Sequence, residues 1–193
     1  FIGLLETLIA TSELIGSIAT SLGGGGGNMD SEFGKIVGGL QKPLAAMGTS
    51  CPDHFLRTKI RPLILEASVY QLEGAALAAA LEEKLVAYRA DYAAYYERCK
   101  RPDSPALRDA NPVVLLLPRI GMVTIAKDKA TARIAGEFYV NAINVMRDAN
   151  AIDTYVGLPE QEAFDIEYWL LEEAKLQRMP KAKPMVGKVV AVT

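Results

Sequence analysis

Histidine is nearly missing from this chain of 193 residues: there is one, His54. A zinc site built mainly of histidines is therefore beyond it, although a Ser-His-Asp arrangement, which needs only one, is not excluded on count. Cysteine is almost as scarce, with Cys51 and Cys99 showing neither CxxC nor zinc-knuckle spacing. That argues against a small secreted scaffold held by disulfides and favours a reducing, cytoplasmic setting. An excess of one charge is also lacking: 21 Lys plus Arg face 23 Asp plus Glu, a net charge of −2. A nucleic-acid binder carries a clear positive excess, and a disordered chain carries few apolar residues and a high net charge, so neither class fits. The apolar stretch from Phe1 to Leu22 is broken by Glu6 and Glu13 and has no basic segment ahead of it, which argues against a signal peptide and a membrane span. What is present is 50% apolar and 23% charged residues with a mean hydropathy of +0.14, the composition of a globular protein. The length suits one domain with an appendage.

The character of the chain changes near Pro43. Before it, Leu4, Leu5, Leu8, Ile9, Ile15 and Ile18 recur at roughly helical spacing and predict an amphipathic helix, and the run Gly23 to Gly27 reads as a flexible linker. That run lacks the GK[ST] ending of a phosphate loop. After Pro43, Arg61 to Glu66 reads as a short buried strand. Leu77, Leu81, Leu85, Tyr88, Tyr92, Tyr95 and Cys99 then form the stripe of a long helix that ends before Pro102 and Pro105. The stripe is read as core in preference to a tyrosine-lined binding groove. Val113 to Leu117 and Met122 to Ala126 predict two adjacent strands, the first covered on both faces, with Pro118 and Gly121 marking the turn. Lys127-Asp128 opens a helix with Asp128 as N-cap and Ile134, Phe138, Ala142 and Val145 as its buried stripe. A further helix starts at Pro159, with Glu160 and Glu162 at the positive end of its dipole and Lys175 and Arg178 at the other. Residues 179–187 read as a linker and 188–193 as the first strand of something new.

One segment concentrates reactive side chains. Within Cys51-Pro52-Asp53-His54-Phe55-Leu56-Arg57-Thr58-Lys59 stand an acid, a base, a thiol and two cations. On a functional reading Asp53 and His54 carry catalysis, Arg57 and Lys59 bind an anion such as a phosphate, and His54 is the one candidate metal ligand. On a structural reading Asp53 caps a short helix, His54 sits in a satisfied core hydrogen bond, and the two cations are solvated. Adjacent acids such as Glu82-Glu83 and Glu172-Glu173 point away from each other on a helix and read as solvated faces, as do Glu162, Asp165 and Glu167. Trp169 reads as core or interface.

Three ordered strings, Gly48 to Lys59, Pro112 to Lys129 and Tyr155 to Trp169, resemble the bifunctional rhamnulose-1-phosphate aldolase/short-chain dehydrogenase family, whose front part has the class II aldolase/adducin fold. The resemblance covers the chain from about Leu44 onward. It implies an α/β fold, a layered αβα fragment comprising residues 44–178, preceded by an unassigned leader at residues 1–43 and ending at the first strand of a Rossmann domain, residues 188–193. It also implies zinc-dependent cleavage of a ketose phosphate into dihydroxyacetone phosphate and lactaldehyde, with oxidation of the aldehyde in a fused NAD-dependent domain. The zinc-binding histidines of the family fall outside this sequence, and no histidine stands at Arg119-Ile120-Gly121, where simpler class II aldolases carry one. The glycine-rich turn for NAD lies beyond Thr193. The expected ligand is thus a sugar phosphate, the expected partners are the remaining parts of the parent enzyme and further copies of it, and the chain alone is expected to hold neither zinc nor NAD. A non-catalytic assembly module of the adducin type is the alternative.

Overall fold

The computed structural model describes residues 42–117 and 121–178. The leader helix, the glycine run, the turn residues 118–120, the linker and the strand expected at 188–193 lie outside the described residues.

The elements run α1 (Lys42–Ala46), α2 (Pro52–Thr58), β1 (Leu63–Ile64), a 3-10 turn (Val69–Gln71), α3 (Gly74–Cys99), β2 (Val114–Leu117), β3 (Gly121–Thr124), α4 (Lys129–Ile152), α5 (Glu160–Glu167) and α6 (Leu170–Arg178). The three strands form one sheet in the order β1-β2-β3. β1 pairs with β2 in parallel, Leu63 opposite Leu115, and such a pair needs a crossover, here helix α3. β2 and β3 are antiparallel, with Val114 opposite Thr124 and Leu117 opposite Gly121.

The sheet has an apolar cover on each face, so every residue of β2 is buried, as a run without polar alternation requires. On one face Leu63, Leu65, Leu115 and Leu117 meet Leu81 and Leu85 of α3. On the other, Val114, Leu116 and Met122 meet Tyr139 and Ile143 of α4. Helix, sheet, helix is the layered arrangement expected, helix-rich and with a small sheet. A third cluster lies beyond the sheet, where Phe55 of α2, Tyr92, Tyr95, Tyr96 and Cys99 of α3, and Ala163, Phe164 and Tyr168 around α5 pack together. The lower half of the tyrosine stripe is thus core.

Three expectations need correction. The buried stripe of α4 is Ala135, Tyr139, Ala142, Ile143 and Met146, whereas Val145 is exposed and Ile134 and Phe138 are half-buried. The face that meets the sheet carries Ala135, Tyr139 and Met146, each one position after Ile134, Phe138 and Val145, with Ala142 common to both stripes. Asp128 does cap this helix, accepting from the Thr131 N–H at 2.8 Å. The helix expected from Pro159 to Arg178 is two, broken at Tyr168-Trp169, so Lys175 and Arg178 end α6 and not α5. Glu167 is not solvated: it is 2% exposed, among the most buried side chains described, while Trp169 is 51% exposed.

Candidate functional site

Helix α2 is short and two-faced. His54, Phe55 and Thr58 point inward, and Asp53 and Arg57, one turn apart on the other side, are exposed. Pro52 supplies the fixed φ of a first turn, and the inward face packs between α4 and α5. The approach to α2 is set by close backbone contacts. Gly48 has φ = +79°, and a Cβ built there would lie 2.3 Å from the Ile60 carbonyl oxygen. A Cβ on Gly157 would lie 2.5 Å from that of Met47. The Tyr155 hydroxyl donates to the Gly48 carbonyl at 2.8 Å, so segments 47–51, 60–61 and 155–158 interlock.

His54 is 2% exposed. Its Nδ1 lies 2.9 Å from Thr49 Oγ1, and its ring meets Phe138 edge-on at 5.3 Å. Thr49 Oγ1 also accepts from the Cys51 N–H at 3.2 Å. Burial lowers the pKa of the imidazole, against a smaller opposing pull from Asp53. The histidine is therefore held neutral and fixed in position.

Lys59 turns the other way. It caps α2 with φ = 62° and ψ = 175°, a backbone region that L-residues seldom enter. Its Nζ donates to the Asp109 carbonyl and lies 3.7 Å from the centroid of the Tyr92 ring. Burial lowers the amine to about 8, with Glu167 and Asp109 pulling it back up. The Glu167 carboxylate accepts from Tyr92 at 2.6 Å and Tyr95 at 3.3 Å, and the Tyr92 and Tyr168 hydroxyls lie 2.8 Å apart. Burial raises the carboxyl of Glu167, against these donors and the positive charges of Lys59 and Arg108.

The four sequence-predicted residues thus divide. Asp53 and Arg57 share the outer face of α2, His54 faces α4, and Lys59 faces α3 and the loop before β2. Glu167, Tyr92 and Thr49 were not singled out for chemistry. Glu167 was legible in one respect, since it continues the Ala163-Phe164 stripe at helical spacing. Among the described residues no group of three His, Cys, Asp or Glu side chains is placed to hold a metal ion. They do not by themselves fit a zinc site.

Residues 38–176 match the model of the family described as "Aldolase class II, second domain". The chain belongs to that family. Over 160 residues it is 33% identical to an "Uncharacterized oxidoreductase YuxG" of Bacillus subtilis (strain 168), a match covering 82% of this chain and 23% of the relative. The chain therefore spans about a quarter of the length of that relative. No solved structure matches. Family membership suggests an aldolase-like function and does not favour the non-catalytic assembly module. No described helix is long and apolar enough to cross a membrane.

Proposed function

We propose that this chain is the second domain of a sugar-phosphate aldolase and supplies one wall of a site that other parts of the parent polypeptide complete. The observation that carries the reading is the division of α2: Arg57 and Asp53 stand exposed on one face of a helix whose other face is fixed in the core. Arg57 offers a planar, permanently charged fork to a phosphate, and Asp53, one turn away, is positioned to move a proton or hold a sugar hydroxyl. His54 is the strut that fixes that face, through Thr49 and Phe138. Lys59 completes the segment from inside.

The substrate on this reading is a ketose 1-phosphate such as rhamnulose 1-phosphate, cleaved to dihydroxyacetone phosphate and lactaldehyde. Zinc on this reading would be held by residues of the preceding domain, and a following NAD-dependent domain would oxidise the aldehyde. The name of the Bacillus relative, an oxidoreductase about four times as long as the matched region, is consistent with such a fusion. Metal analysis of the desalted chain, with a cleavage assay on the same folded sample, tests this. The expected result is neither zinc nor turnover from the chain alone; stoichiometric zinc with turnover would overturn the division of the site between domains.

A further inference from the structure

The buried cluster around Lys59 is larger than capping a seven-residue helix needs. Four elements meet in it. α2 contributes Lys59, α3 contributes Tyr88, Tyr92 and Tyr95, the loop before β2 contributes Arg108 and Asp109, and the end of α5 contributes Glu167 and Tyr168. Arg108 extends it to α6 through Glu173 at 3.1 Å and stands 5.1 Å from the Tyr168 ring centroid. Lys59 and Glu167 are 9% and 2% exposed, so both charges sit where water cannot screen or solvate them.

We propose that Lys59, Tyr92 and Glu167 form a proton-dependent latch that ties the segment bearing Asp53, His54 and Arg57 to the C-terminal turn of α5. An amine whose pKa is depressed by burial regains its normal basicity when it swings out to water. Protonation therefore favours the open form, and loss of the proton favours the closed one. Likewise Glu167, whose carboxyl is raised by burial, resists closure when ionised. The latch is weakest where both groups are charged, and it tightens as pH rises through the range in which Lys59 gives up its proton. Burial sets where that happens, and the Glu167 carboxylate moves it to higher pH by helping to hold the proton on Lys59.

The device stands on the buried cluster alone and its test uses no substrate, so its failure is separable from failure of the aldolase reading. Amide hydrogen exchange, corrected for intrinsic rates, is followed in the full chain at Lys59, Tyr168 and Trp169, whose N–H groups donate to Phe55, Phe164 and Ile166. With Lys59 at about 8 when closed and 10.5 when open, protection at these amides should rise about tenfold between pH 7 and pH 9. Lys59→Met should flatten the rise. Lys59→Arg, which keeps the charge but does not titrate in this range, should flatten it too and covers the case in which the methionine variant does not fold. Glu167→Gln should move the rise to lower pH. Protection that is flat in the native chain, or a rise that persists in either Lys59 variant, would overturn the latch.

Discussion

Gly48 and Gly157 carry the closest backbone contacts around the candidate segment, and each leaves no room for a methyl group. Gly48→Ala would put a Cβ against the Ile60 carbonyl at a positive φ, and Gly157→Ala would put one against the Met47 carbonyl. Each should lower the unfolding free energy by about 2 kcal/mol or more, measured by urea denaturation. Gly136 is the control, since a Cβ there meets only side-chain atoms at 3.7 Å and the residue lies within α4. Gly136→Ala should be neutral or stabilising by about 0.5–1 kcal/mol, the gain in helix propensity. His54 gives a pH prediction with a definite sign. Its folded pKa lies below the unfolded 6.5, so the unfolded state binds the proton more tightly and stability falls as pH drops through and below 6.5. Unfolding curves between pH 7.5 and 5 should show this fall, and His54→Gln should lose that part of it.

Helix α5 shows how an element is held. Glu160 pairs with Arg98 at 3.1 Å and Arg61 at 3.3 Å, and Asp165 pairs with Arg101 at 2.6 Å. These partly exposed pairs fix direction more than stability. The buried end is different, because the Glu167 carboxylate depends on its tyrosine donors. Tyr92→Phe should cost about 1–3 kcal/mol in urea denaturation, the penalty for stranding a buried acceptor, whereas Tyr96→Phe, whose hydroxyl meets the Pro105 carbonyl in a half-buried place, should cost less. Much of this was legible in the sequence. The periodic tyrosines marked the core face of α3, the unbroken apolar run marked a strand covered twice, and Asp128 marked its helix start. The stripe of α4 was displaced by one position because apolar residues stand side by side at 134–135, 138–139 and 145–146, so that spacing alone does not choose between the two faces, and the break at Tyr168-Trp169 was hidden because neither residue is a helix breaker. Within the candidate segment, composition identified Lys59 but not where its amine goes, which depends on the Tyr92 ring and on the Asp109 carbonyl, 50 positions away, as sequence order alone could not reveal.

At the scale of the molecule, α2 is seated between α4 and α5 with its inner face locked and its outer face exposed. The chain belongs to the class II aldolase second-domain family and spans about a quarter of the length of its Bacillus relative. Along α6 no residue is buried, and Leu170 and Leu171 stand exposed beside Trp169. On the proposed function, Arg57 meets the phosphate of the substrate. The most direct measurement is the steady-state release of dihydroxyacetone phosphate from rhamnulose 1-phosphate by the full-length parent polypeptide, native and Arg57→Ala. The native protein should release it, and the variant should show a KM raised about tenfold or more with kcat little changed, as loss of one charge-assisted hydrogen bond at a non-reacting group requires. No release by the native protein, or an unchanged KM in the variant, would contradict the proposed function.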